Sequence, residues 1–258
     1  MSAAVSQTWY MTQRQLMVFA RQPAYAIITL IQPVIWLFLF GGLFKHVVEL
    51  GGFGTGSYLD YLVPGVVVMS ALSSNMWAGM GTLEEIQRGT LDRFLTTPVS
   101  RAALMNGNVV NNGLITALQS VVIVLLGLAG GAEYPGSAGG VAILVLASVL
   151  LGTVFGALSN ALGMLVRERE SIIGINTFLL LPLTFLSSAF MAPSRMPDWI
   201  RHVAGFNPLD WAMVAGRSAM SAHPDWGGVL GRTGGLLALA VAAVWLSIRT
   251  FRSYQRSV

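Results

Sequence analysis

Six charged side chains, Glu84, Glu85, Arg88, Asp92, Arg93 and Arg101, crowd the stretch "EEIQRGTLDRFLTTPVSRAAL" in a chain that is only 10% charged. Glu84–Arg88 and Arg88–Asp92 are spaced i,i+4. On a helix each pair adds about 0.2–0.5 kcal/mol. On a helix running from Leu83 to about Leu95, the residues Leu83, Ile86, Leu91, Phe94 and Leu95 share the other side with Thr90. That pattern suits docking rather than catalysis: one face fits an apolar surface, the other offers paired charges to a soluble partner. Gly89 in mid-helix costs about 1 kcal/mol against Ala, a cost consistent with close approach by another body. Thr97–Pro98 then ends the helix. A second charged stretch, "RERE" (Arg167, Glu168, Arg169, Glu170), is too short for more than an exposed turn.

The remaining polar groups are amides. In "NGNVVNNGLITALQS", Asn108, Asn111, Asn112, Thr116 and Gln119 project within one broad stripe of a helix. Two uses remain open for them: hydrogen bonds to other helices, or the lining of a substrate route. His46, His202 and His223 form no H-E-x-x-H, and no cysteine is present for a thiolate site or a disulfide. No G-x-x-x-x-G-K-[ST] occurs, and the only lysine is Lys45. Catalytic, metal and cofactor sites are therefore expected to be absent from this chain, and any ATP with its Mg to be held elsewhere.

These residues are positioned by unusually apolar elements. Of the 258 residues 54% are hydrophobic, and uncharged runs cover 24–44, 61–83, 102–132, 136–166, 171–194 and 233–248. Crossing ~30 Å of hydrocarbon takes about 20 helical residues. Five runs reach that length. The sixth extends backward past Arg232, whose stem can snorkel. The reading is all-α and polytopic, with six spans at about 24–44, 61–83, 103–130, 138–166, 171–192 and 231–250. Continuous apolar runs exclude a β-barrel. The first run begins too late and is too long for a cleaved signal peptide. With both termini inside, the inner segments hold Arg14, Arg21, Arg88, Arg93, Arg101, Arg167, Arg169, Arg249, Arg252 and Arg256. Only Lys45, Arg195, Arg201, Arg217 and Arg232 then lie outside, as the positive-inside rule asks. The basic balance thus reads as membrane orientation, and nucleic-acid binding is not expected.

Residues 1–22 form a separate leader. Trp9, Leu16 and Ala20 share one helical face and Arg14 and Arg21 another, which suggests an interfacial amphipathic helix before the membrane domain at 23–258. Pro33 and Pro182 are expected to kink spans 1 and 5. Ser148, Gly152, Gly156 and Asn160, spaced by four, read as a packing seam on span 4. Between spans 5 and 6, two short helices are expected in the outer leaflet. In "NPLD" Asn207 caps a helix, Pro208 takes its first position and Asp210 favours its positive end.

"GTLDRFLTTPVSRAALMNGN" resembles the cytoplasmic loop of ABC-2-type transporter permeases, where a GTLERL-like helix precedes a T-P-[VL]-S-R turn. "FNPLDW" resembles that family's Asn-Pro-Leu element before the last span, and the likeness extends over nearly the whole chain. Asp92 stands where Glu is commoner, which preserves the charge. The likeness is to antibiotic-resistance and polysaccharide or lipid exporter permeases. It implies a transmembrane subunit of the cytoplasmic membrane, paired with a second permease copy, identical or related, and driven by two copies of an ABC ATP-binding subunit. On that likeness Glu84, Glu85, Arg88, Gly89, Thr90, Leu91, Asp92, Arg93 and Phe94 form a coupling helix for the ATPase. Thr97, Pro98, Ser100 and Arg101 form the turn after it, and Arg167 to Glu170 a smaller second contact. The alternative is a secondary transporter, but ion-coupled carriers place ionisable groups at mid-membrane, and the middles of these six spans have none.

Overall fold

The computed structural model describes residues 30–43, 58–88, 101–136, 138–189 and 193–254, together with Gln13. Its regular structure is helical, with no strand among the described residues. Apart from Gln13, the leader lies outside them, as do Gly89, Thr90, Leu91, Asp92, Arg93, Phe94, Thr97, Pro98 and Ser100.

Helix α1 is Leu30–Leu43. It passes through Pro33 and widens into a π-helical turn at Trp36–Phe40, where the two ring centroids stack 4.6 Å apart. Helices α2 (Tyr58–Met76) and α3 (Ala78–Gln87) form one apolar rod of 30 residues, broken only at Trp77. Pro64 lies inside α2 without ending it. Helices α4 (Arg101–Ala129) and α5 (Ala138–Val166) are 29 residues each, about 43 Å long at 1.5 Å per residue. Helix α6 is Arg169–Phe185, and the short α7 (Asp198–Ala204) and α8 (Pro208–Met220) precede α9 (Trp226–Tyr254).

Among the described residues, four helices are long and apolar enough to cross a membrane: Tyr58–Gln87, Gly107–Ala129, Ala138–Val166 and Trp226–Phe251. They match the expected spans 2, 3, 4 and 6. The expected spans 1 and 5 differ. Only residues 30–43 of the first are described, and α6 stops at Phe185 rather than 192, with 17 residues.

The early end of α6 has a physical cause. The Asn207 side chain donates to the carbonyls of Leu183 (2.7 Å) and Leu186 (2.9 Å), taking up oxygens that a continuing helix would have used. Asp210 accepts from the Ser188 backbone N–H at 2.8 Å. Arg217, half-buried, donates to the carbonyls of Ser188, Ala189 and Tyr61, and its guanidinium lies 3.6 Å from the Tyr61 ring centroid. Gly65 makes the space: a Cβ there would come within 3.1 Å of both Arg217 and the Ala189 carbonyl. Asn207 also caps α8 through the Leu209 N–H, with Pro208 at its first position, as expected. Asp210 lies in the first turn of α8, as expected, and its carboxylate also holds the turn after α6. Beside this knot Asp60 accepts from the Glu133 N–H. Burial, and then the Asp60 carboxylate, hold the Tyr134 hydroxyl well above its ordinary pKa.

Helix α5 is the axis of the bundle and packs against α2, α3, α4, α8 and α9. Its small residues permit this, as the spacing suggested. A Cβ on Gly140 would meet the Ala219 carbonyl at 2.3 Å, one on Gly152 the Asn75 amide at 2.6 Å, and one on Gly163 the Gly79 carbonyl at 2.5 Å. The outward faces of α4, α6 and α9 carry exposed Leu125, Phe178, Phe185, Val241 and Trp245, side chains suited to lipid.

Two sets of substitutions check this packing by thermal unfolding in lipid nanodiscs. Gly163→Ala is expected to cost about 1–3 kcal/mol by overpacking, whereas Gly174→Ala, with open space around it, is expected to be neutral or stabilising by up to ~1 kcal/mol. Asn207→Ala is expected to cost about 2–3 kcal/mol. Asn207→Asp keeps the capping oxygen but loses both donated bonds, and is expected not to restore stability. Full recovery in that variant would show that capping alone matters.

Candidate functional site

The charge cluster does not begin a separate helix at Leu83. Nothing in "AGMGTLEEIQ" interrupts the helix, so the rod runs on to Gln87, and Glu84 marks where charge begins rather than where a helix starts. Arg88 closes it, its N–H bonded to the Glu84 and Ile86 carbonyls. The apolar face packs inward: Leu83 is buried, and Ile86 meets Met164 and Phe251. Glu84 pairs with Arg88 at 3.5 Å, as the spacing predicted, and with Arg169 at 2.9 Å, which it did not. All three side chains are exposed, so each pair is worth at most about 1 kcal/mol. What they supply is placement. The "RERE" turn is a tight reversal, with Arg167 at φ +55° and its N–H closing α5 on Gly163. Glu168 then starts α6 and accepts from the Ser171 hydroxyl. The two charged stretches are thereby one surface. Arg101 opens α4 close by in sequence.

The amide stripe splits. Asn108, Asn112, Thr116 and Gln119 line a cavity of about 340 Å³, while Asn111 is buried and is not part of its wall. Across the cavity stand Ser74, Asn75, Trp77, Thr82 and Glu85 from α2–α3, with Asn160 from α5 and Leu30 from α1. Both uses left open by the sequence occur. Asn75 donates to Thr116 Oγ1 (2.9 Å) and Ser74 to Gln119 Oε1 (3.2 Å), tying α2 to α4. The same groups leave space between them. Glu85, grouped by sequence with Glu84, lines this cavity instead. Asn75, a lone amide in an apolar run, was the signal overlooked, since such a residue needs a partner or a cavity. Asn160 was read as part of the seam, yet it accepts from Thr82 at 2.9 Å and reaches the cavity wall.

The wall is neutral and hydrogen-bonding except for Glu85, and its apolar side is Trp77, Ile115, Leu118 and Val122. Hydrogen-bonding groups facing an apolar side have the chemistry that suits an amphiphilic molecule. No cluster of metal-ligating side chains occurs among the described residues.

Within the cavity wall lies the break at Trp77. The Ser159 hydroxyl donates to the Met76 carbonyl and accepts from the Gly79 N–H (3.0 Å), and Asn176 of α6 donates to the same carbonyl at 2.6 Å.

Residues 6–221 match the ABC-2 type transporter family. The chain is 30% identical over 259 residues to the daunorubicin resistance ABC transporter permease protein DrrB1 of Streptomyces coeruleorubidus, covering 98% of this chain and 88% of that one. It is 29% identical to the putative transport permease ycf38 of Porphyra purpurea (84% and 74%). It is 25% identical to the inner membrane transport permease YadH of Escherichia coli strain K12 (73% of each). With the match spanning most of its length, and with apolar helices ending in one charged surface, this chain belongs to the ABC-2 type transporter family. It is the multi-pass permease subunit of an ABC exporter, in which a separate subunit binds and hydrolyses ATP.

Proposed function

We propose that the chain exports an amphiphile through the α2–α3–α4 cavity, driven by an ATP-binding subunit docked on the charged surface. The observation that carries this reading is that α3 serves both ends: Glu84 belongs to the charged surface, while Thr82 and Glu85, within two residues of it, line the cavity. A push on Glu84, Arg88 and the 89–101 segment therefore moves part of the cavity wall. Arg167, Glu168, Arg169 and Glu170 form the second contact, held in place by the Glu84–Arg169 pair.

In this reading α1 and α6 complete six spans, with residues 1–22 at the inner interface of the cytoplasmic membrane and both termini inside. The far-end helices α7 and α8 lie in the outer leaflet, where exposed Trp199 and Phe206 suit the headgroup boundary. Two permease copies and two ATP-binding subunits, carrying ATP and Mg, make the working transporter. The cargo is a drug-, lipid- or glycolipid-like molecule with a neutral or amine-bearing polar head, since the described wall holds a carboxylate and no cation. The daunorubicin-resistance relative supports a drug-like choice.

Affinity purification from cells expressing the chain is expected to recover the ATP-binding subunit, and Arg88→Glu with Arg93→Glu to lose it while membrane insertion persists. Normal association in that variant would remove the docking role. Asn112→Leu with Gln119→Leu is expected to keep the subunit but lower efflux of a cationic dye about tenfold or more, the loss of one or two cavity hydrogen bonds. Unchanged efflux would place the route elsewhere.

A further inference from the structure

We propose that the break at Trp77 is a two-position hinge, latched in its broken position by Ser159 and Asn176, and that release of this latch is how movement of the charged end reshapes the cavity. The proposal deepens the coupling reading above and rests on it.

In an unbroken helix the Met80 N–H would bond the Met76 carbonyl, and the Gly79 N–H the Asn75 carbonyl. Here Met80 bonds the Trp77 carbonyl at 3.0 Å, so the Met76 carbonyl turns to side chains. One hydroxyl closes both sides of the gap: Ser159 Oγ accepts from Gly79 below the break and donates to Met76 above it. It is a rung borrowed from α5, a recognised cause of a sharp bend. Asn176, 3% exposed, gives the same carbonyl a second donor from α6.

Straightening would return Met80 to Met76 and Gly79 to Asn75, freeing Ser159 and Asn176. The Met80 and Gly79 N–H groups are paired in either position, so the two positions differ by the bonds that Ser159 and Asn176 make to the Met76 carbonyl. That is what a bistable element requires. The contact surface also permits the motion. A Cβ on Gly79 would lie 2.1 Å from the Ser159 carbonyl, so next to the break the backbones of α3 and α5 approach with no side chain on Gly79 between them. The hinge divides the cavity wall, with Ser74 and Asn75 before it and Thr82 and Glu85 after it. Rotation about Trp77 moves one half of the wall against the other. Ser159 and Asn176 touch no cargo; they are positioning residues.

The chain has no cysteine, so spin labels attach only where one is introduced. Gln87→Cys, at the exposed end of α3, and Leu230→Cys, 66% exposed on α9, give a pulsed electron-resonance distance along the bundle. Labelled chain in nanodiscs is diluted with unlabelled chain so that only distances within one copy are read. The parent is expected to show one dominant distance. Ser159→Ala and Asn176→Leu are each expected to move the population toward a second distance by about fivefold, the effect of one net hydrogen bond. ATP with vanadate, added to the parent complex with its ATP-binding subunit, is expected to favour the same second distance. Ser148→Ala loses only a bond to its own helix in the same seam and is expected to change nothing. The proposal fails if both latch variants keep the parent distance, or if Ser148→Ala shifts it equally. The two latch variants act on one carbonyl from different helices, so either alone decides the matter if the other does not insert. Co-purification of the ATP-binding subunit is expected to persist in all three, so a failed hinge and a failed docking surface give different results.

Discussion

A backbone carbonyl in hydrocarbon has no water to turn to, and leaving it unpaired costs several kcal/mol. Every departure from straight helix in this chain must therefore be matched by a donor from elsewhere. The two departures best seen are the break at Trp77 and the end of α6. Both are closed by side chains from distant sequence: Ser159 and Asn176 at the first, Asn207, Arg217 and Asp210 at the second. Each set joins at least three helices. The irregular points of the fold are thus also where its helices are fastened together.

This explains what could be read from the sequence and what could not. Apolar length and charge placement located α2–α3, α4, α5 and α9, because those signals need no knowledge of neighbours. The small-residue seam on α5 was visible for the same reason. Neither break was, since "SSNMWAGMG" contains no proline and its only cue is Gly79 at the turn. Pro182 drew attention to span 5, yet α6 runs through it for three more residues and is ended by Asn207 and Asp210 from beyond. At the site, the stripe of Asn108, Asn112, Thr116 and Gln119 was legible as one face of a helix. Its partners Asn75, Thr82 and Asn160 were not, because pairing across helices has no period. Glu84 and Glu85 are neighbours in sequence but turn to different tasks, about 100° apart on the helix.

The same economy shapes function. A permease that burns no ATP needs one place to be gripped and a stiff path from there to its cargo. Helix α3 is short, carries both kinds of residue, and meets α5 through the close Gly79–Gly163 approach, the Thr82–Asn160 hydrogen bond and Ile86 against Met164. The far end, by contrast, is fastened by Arg217 and the capping Asn207, which donate to carbonyls of α2, of the end of α6 and of the turn just beyond it.

The central claim is that the Glu84–Arg169 surface and the α7–α8 knot face opposite sides of the membrane, with the charged surface toward the nucleotide. Labelling by a membrane-impermeant maleimide tests it most directly, using Gln87→Cys and Trp199→Cys in turn in the otherwise cysteine-free chain. The account predicts that Gln87→Cys reacts only in inside-out vesicles and Trp199→Cys only in intact cells. Reaction of Gln87→Cys from the outside of intact cells would contradict it.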